Sequence, residues 1–223
     1  MHGADRREGT VPPGHLDRTP LSDQVRGILL DHLARGRWQP GQRIVERQVA
    51  AELGVSQAPV REALRDLRSM RLVEFSPHRG TRVCDLTPGR LCQVYPVRGA
   101  LERLAAELAL PRLAGDVRAL EDHATGMRRA AAERDVDAQV RHGVAFHREI
   151  VRASGNAALS PSWESLAAEL WTRLSLTRVR TALHENAEDH EPIIEAFRRR
   201  DPDVGRLLQL HILAYAHEPI GAP

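Results

Sequence analysis

The chain has 223 residues, a mass of 24.9 kDa and a formal net charge of +2, a length that suits one large domain or two small ones. Its first residues lack the apolar stretch of a signal peptide, and no later segment approaches the roughly 20 apolar residues of a membrane span. Cys84 and Cys92 show neither the spacing of a zinc site nor that of a disulfide framework. We therefore expect a soluble, reduced, cytoplasmic protein.

The first regular element of the chain is predicted after a polar N-terminal arm. Residues 1–19 are rich in Gly, Pro and Arg, a composition that predicts disorder. A helix is expected from Leu21 to about Arg35, and Gly36 and Pro40-Gly41 then predict turns.

Residues 43–83 carry two helices and a hairpin with almost no residues between them. The pattern predicts helices at Glu46–Leu53 and Ala58–Met70, joined through Gly54, and short strands at Leu72–Phe75 and Thr81–Cys84. This is the layout of a winged helix-turn-helix, a fold that reads DNA. We assign the domain to residues 20–84.

Apolar residues at helical spacing predict how these helices pack. The facing positions are Val49, Leu53, Val55, Val60, Leu64 and Leu67, with Ile28, Leu29 and Leu33 of the preceding helix. Gly54 permits the left-handed backbone of a tight turn, and Ser56 suits the N-cap of the second helix. The opposite face of the two helices is then polar and free to contact DNA.

The N-terminal end of the second helix is the predicted DNA reader. It carries Gln57, Ala58, Pro59 and Arg61, where small residues allow close approach and Arg61 can reach a guanine edge or a phosphate. Arg47 and the wing arginines Arg79 and Arg82 would flank it. An alternative is that these arginines only solvate a small helical domain.

The charge distribution agrees with a DNA-binding first half. All 32 basic residues are arginine; residues 1–84 hold 14 of them against 10 acidic residues, and residues 85–223 hold 18 against 20. Binding to phosphates needs positive charge where the reader lies.

The remainder of the chain shows only helical patterns. A linker is predicted at residues 85–87, and Thr87-Pro88 resembles the cap and first residue of a helix. Residues 88–217 then predict an antiparallel bundle of about six helices, before a tail at 218–223. Its breaks are expected at 111–115, 134–135, 154–156, 182–183 and 201–202.

Several runs together resemble the GntR family of transcriptional regulators, in its FadR subfamily with an all-helical ligand-sensing FCD domain. They are PLSDQVRGILLDHLARGRWQPGQRIVERQVAAELGVSQAPVREALRDL, RLVEFSPHRGTRV, QVYPVRGALE and AFHREIVRASGNAAL. The resemblance implies a homodimer on a two-fold symmetric DNA operator, regulated by a small carboxylate. It also implies DNA contacts at Arg47, Arg61, Arg79 and Gly80. With Ser56, Gln57, Ala58 and Pro59 at the start of the second helix, these are the expected DNA-binding residues. Gln57 stands where the family usually has Arg, and it can still pair with adenine.

The same resemblance suggests a metal site in the helical domain. His147, His190 and His211 stand at positions where many members of the subfamily bind a divalent metal, with zinc expected before nickel or manganese. The usual Asp four residues before the first His is replaced by Gly143, and His142 would point about 100° away around the helix. Three histidines with water could hold zinc, or the metal site could be lost and the histidines could bind the effector directly.

Two arginines are further candidates for binding the effector. Arg98 matches an arginine that lines the effector cavity in many relatives, and a buried guanidinium can hold a carboxylate by two hydrogen bonds. The alternative for Arg98 is an ion pair with Glu102 on the surface of its helix. Arg173 presents a similar choice.

The sequence therefore predicts a mainly α protein that acts as a ligand-responsive DNA-binding repressor and not as an enzyme. One alternative is a metal-dependent hydrolase with an accessory DNA-binding module, in which Glu149 or Glu191 would be the base. The sequence lacks the HExxH motif and a partnered nucleophile that would favour this. Another alternative is an architectural DNA-binding protein without a ligand.

Overall fold

The computed structural model describes residues 20–178 and 183–216; the predicted arm and tail lie outside them. The N-terminal part is a winged helix-turn-helix, as predicted. Its elements are α1 (Leu21–Ala34), β1 (Arg43–Ile44), α2 (Glu46–Leu53), α3 (Gln57–Ser69), β2 (Val73–Ser76) and β3 (Gly80–Val83). Each predicted helix and strand is present within one or two residues of its expected ends.

The wing is a three-stranded antiparallel sheet in the order β1-β3-β2. Arg43 pairs with Arg82, and Val73 pairs with Val83. Strand β1 was not predicted, because two residues are too few for an alternating pattern.

The three helices of this domain pack much as the apolar spacing predicts. Leu29 and Leu33 of α1 are buried with the apolar residues of α2 and α3, but Ile28 is exposed, and Val25 takes its place in the core. Val25, Leu29 and Leu33 follow one another at four-residue intervals and so share one face. Gly54 has a φ of 65° and ends α2.

The helical domain contains eight helices among the described residues instead of about six. They are α4 (Pro88–Leu113), α5 (Arg118–Glu133), α6 (Val136–Ala153), α7 (Leu159–Glu164), α8 (Ala168–Arg178), α9 (Leu183–Glu188), α10 (Glu191–Arg199) and α11 (Val204–Leu213). The predicted breaks at 134–135, 154–156 and 201–202 fall between helices, and α4 ends at Leu113, within the break predicted at 111–115; residue 182 of the remaining break lies outside the described residues. Two breaks were missed.

The first missed break separates α7 from α8, where Ala167 has a φ of 53°; a left-handed alanine has no sequence signature. The second precedes α10, where Pro192 occupies the first turn, a position that proline favours. None of the described helices is long and apolar enough to cross a membrane.

The two domains share part of their hydrophobic core. Trp171 and Leu174 of α8 and Tyr215 after α11 are buried in the same cluster as the core of α1 to α3. A second cluster fills the rest of the helical domain. Helix α8 packs on α1, so the helical domain is in direct contact with the winged helix-turn-helix.

Candidate functional site

Three histidines from distant parts of the sequence meet inside the helical domain. His147 lies on α6, His190 immediately precedes α10 and His211 lies on α11. One ring nitrogen from each lies within 4.8 Å of the others, and the His190 and His211 ring centroids are 4.5 Å apart. The predicted convergence of these side chains is therefore confirmed.

His190 presents one nitrogen to this cluster. Its Nδ1 lies 2.8 Å from the carbonyl oxygen of Asn186, which can only accept, so Nδ1 carries the proton. Its Nε2 is buried and has no hydrogen-bond partner among the described residues. Burial lowers the pKa of His190 to about 3, and the ring is neutral at neutral pH.

A buried carboxylate lies behind His147. Glu102 Oε2 is 2.6 Å from His147 Nδ1, and Glu102 Oε1 accepts from Arg98 Nε at 2.6 Å and from Trp163 Nε1 at 2.7 Å. Burial raises the pKa of Glu102, but Arg98 together with the contacts from His147 and Trp163 outweighs this effect, and the pKa falls to about 2. Burial also lowers the pKa of His147, so an ionised carboxylate faces a neutral imidazole.

Arg98 and Glu102 make the predicted ion pair, but it does not lie on the surface. The two side chains are 3% and 0% exposed, and Arg98 Nη1 also donates to Thr172 Oγ1 at 3.1 Å. The sequence could place these residues one turn apart on α4 but could not show that this face of the helix is buried.

The histidines and Arg98 line a small cavity. Gly143 borders it, and a Cβ atom added there would have Met127 Sδ as its neighbour, at 3.4 Å. Asn186 and Tyr215 also line it and belong to a buried chain of hydrogen bonds from Gln139 through Asn186 and Tyr215 to Asp189. The sequence analysis missed this chain, because isolated Gln, Asn and Tyr residues have no motif.

The three histidines fit a divalent metal. Imidazole nitrogens suit zinc and nickel, and the unpartnered Nε2 of His190 offers a buried lone pair that needs a partner. Zinc–nitrogen bonds of about 2.0–2.1 Å place ligands roughly 3.4 Å apart in a tetrahedron, so nitrogens that lie within 4.8 Å of one another would approach by up to about 1.4 Å. His142 lies beside His123, with ring centroids 5.8 Å apart, and is outside the cluster.

Most of the predicted DNA contacts are accessible on the first domain. Arg47, Gln57, Ala58 and Arg61 are exposed at the ends of α2 and α3, and Arg61 Nε donates to Glu46 Oε2 at 3.2 Å. Arg79 is exposed in the wing turn, beside Gly80 with a φ of 73°.

Comparison with protein families divides the chain as the structure does. The model for "Bacterial regulatory proteins, gntR family" matches residues 21–83, and that for the FCD domain matches residues 93–214. The chain belongs to the GntR family of transcriptional regulators. The DNA-binding regulators of this family are not enzymes, and the hydrolase alternative is thereby excluded. One of the two candidate bases, Glu191, forms an ion pair with Arg128 at 3.3 Å.

Individual relatives of this GntR protein include named repressors. It is 35% identical over 90% of its length, and 89% of the relative's, to the probable D-xylose utilization operon transcriptional repressor of Paenarthrobacter nicotinovorans. It is 27% identical to the gluconate operon transcriptional repressor of Bacillus subtilis, covering 88% of this chain and 84% of that one. The solved structure of Escherichia coli McbR/YncC shares the fold, with a TM-score of 0.72, 24% identity and coverage of 89% and 98%.

Arg173 does not line the cavity of this GntR regulator. It pairs with Asp137 of α6 and approaches Asp31 of α1 at 3.8 Å. Arg35 of α1 completes the network, at 2.8 Å from Asp31 and 2.9 Å from Asp137. Arg173 therefore joins the two domains, and we remove it from the expected effector contacts.

Proposed function

We propose that this GntR regulator is a ligand-responsive repressor that binds a two-fold symmetric operator as a homodimer and changes its DNA affinity when a small carboxylate enters the histidine cavity. One observation carries this proposal above the others. The helix that packs against the reading domain, α8, also contributes Thr172, Ser175 and Leu176 to the cavity wall. A ligand in the cavity would thus contact the same helix that packs against the DNA-binding domain, and could change the position of that domain.

The charges in the cavity balance one another, so a bound divalent ion would be what favours an anionic ligand. Arg98 and Glu102 neutralise each other, and His147 and His190 are neutral, because burial lowers their pKa values. A divalent ion held by the three histidines would supply a Lewis acid for a carboxylate. Without the ion, Arg98 and the histidines would bind the carboxylate directly.

Contact with DNA is proposed through the exposed end of α3 and the wing. Gln57 would read adenine, and Arg61 would contact guanine or phosphate. Arg47, Arg79 and Gly80 would hold the backbone, and Ser56, Ala58 and Pro59 would allow close approach. Half-sites one helical turn apart would place both reading helices in successive major grooves, so a small reorientation of one protomer weakens binding.

An exposed apolar stripe supports the homodimer. Val97, Leu104 and Leu108 lie on one side of α4 and are exposed, as is Leu210 on the adjoining α11. Such a contiguous patch marks an interaction surface. We expect light scattering to give twice the 24.9 kDa mass, and Leu104→Glu to give the monomer.

The proposed function is tested by selection and by ligand binding. The full chain is used to select DNA from a random pool, and the selected sequences are expected to contain two inverted half-sites about one turn apart. Purified protein is then screened by thermal shift with zinc and with a panel of carboxylates. A pool with no enriched sequence would contradict operator binding. Enrichment without any ligand response would leave the architectural alternative.

A further inference from the structure

We infer that Glu102 is a positioning residue for the histidine cluster: its carboxylate accepts the Nδ1 proton of His147 and thereby leaves Nε2 as the metal-binding nitrogen. This inference deepens the metal-binding part of the proposed function and rests on it. Glu102 does not belong to the metal-ligating cluster itself. Its role is to decide which nitrogen of His147 has a lone pair.

The first step of the argument is the contact between Glu102 and His147. Glu102 Oε2 and His147 Nδ1 are 2.6 Å apart, but their alignment falls short of a well-formed hydrogen bond, and neither atom has another partner among the described residues. Leaving two buried polar atoms unsatisfied is costly. A small rotation of the ring would satisfy both, provided that Nδ1 carries the proton.

The second step is that Glu102 is fixed from the other side. Its Oε1 is held by Arg98 Nε and by Trp163 Nε1, and both are donors that do not act as acceptors. The carboxylate therefore remains an acceptor, directed at His147 by two rigid partners. A carboxylate behind a metal-binding histidine commonly fixes its tautomer and ring orientation.

The third step is a parallel with His190. Its Nδ1 donates a hydrogen bond to the Asn186 carbonyl, and its Nε2 has no partner among the described residues. If Glu102 imposes the same protonation on His147, both rings offer Nε2. Two histidines from separate elements would then have the same tautomer, and each would offer an unprotonated Nε2 to the same metal ion.

The same helix provides a matched control. Arg103 and Glu107 form the same four-residue pair as Arg98 and Glu102, but their side chains are 50% and 42% exposed. Glu107→Gln removes an equal charge from α4 without affecting the cluster. Glu102→Gln keeps an oxygen for Arg98 and Trp163 but presents an NH₂ donor to His147, which favours the opposite tautomer.

The experiment combines ¹⁵N NMR of the imidazoles with Co²⁺ titration. In metal-free wild-type protein, His147 is expected to carry its proton on Nδ1. In Glu102→Gln the proton moves to Nε2, and the Co²⁺ dissociation constant rises about 10- to 100-fold, with a changed d–d absorption spectrum. Glu107→Gln should match the wild type, and His190 serves as an internal reference, because its tautomer should not change.

Two results would overturn the inference: Nε2 protonation of His147 in the wild type, or a folded Glu102→Gln that binds Co²⁺ within twofold of wild-type affinity. Should Glu102→Gln fail to fold, the tautomer of His147 in the wild type decides whether the inference holds. If the wild type takes up no Co²⁺, the metal-binding part of the proposed function has failed, and the tautomers of wild type and Glu102→Gln alone decide the role of Glu102.

Discussion

The polar residues of the DNA-binding surface are exposed to water, whereas those of the histidine cavity are mostly buried. Arg61 in α3 is exposed and forms an ion pair with Glu46, whereas Arg98 in α4 is 3% exposed and bound to a fully buried Glu102. Water screens the first pair and not the second. Residues on the DNA-binding surface should therefore contribute separately and in a salt-dependent way, whereas the residues of the cavity depend on one another.

The largest expected effect comes from breaking the buried pair. Arg98→Ala leaves the Glu102 carboxylate buried and uncompensated, and we expect it to lower the free energy of unfolding by about 3–5 kcal/mol. Urea unfolding of the metal-free protein measures this. Arg103→Ala, which breaks the exposed pair of the same helix, should cost less than about 1 kcal/mol. Equal losses in the two variants would contradict the contrast.

The next effect concerns the DNA-binding surface. Arg61→Ala should weaken binding to a selected operator by about 1–3 kcal/mol per half-site and leave the stability of the protein nearly unchanged. Fluorescence anisotropy at several salt concentrations gives both the affinity and its salt dependence. Arg103→Ala again serves as the control, and a loss of affinity in that variant of similar size would show that general charge, not position, governs binding.

A smaller effect, on the affinity for zinc, is expected from a substitution at Gly143, which borders the cavity. Gly143→Asp adds a carboxylate beside His147, and four protein ligands would complete a tetrahedral zinc site. We expect zinc to bind about tenfold more tightly in a competition assay, and added carboxylates to have less effect on that binding. Gly143→Ala adds a side chain without a ligand and should not tighten binding; an increase in both variants would exclude coordination as the cause.

The smallest effect should come from the contact between the two domains. Asp31→Asn and Asp137→Asn each remove one partner of Arg173, and both side chains are about a third or more exposed. Each should cost about 0.2–1 kcal/mol of stability. Because they share Arg173 and Arg35, a double-mutant cycle should show coupling between them. Strict additivity would mean that the four residues do not form one network.

The DNA-binding domain could be predicted from the sequence more fully than the contacts of the cavity. The winged helix-turn-helix was predicted almost to the residue, because α2, the Gly54 turn and α3 are encoded by neighbouring residues. The positions of His147, His190 and His211 came from the family resemblance, and the structure confirms that they converge. The predicted effector role of Arg173 did not hold, since its position depends on α1, which is far away in the sequence.

The sequence by itself determined the periodic elements, the turns that need glycine and proline, and the family, since these depend on residues within a few positions of one another. Only the tertiary structure decided that the Arg98–Glu102 pair is buried, that Glu102 lies behind His147 and that Arg173 joins the domains. Such contacts depend on which helix faces cover one another. Burial then determines the charge states, because removing water makes an unpaired charge costly and a paired one strongly held.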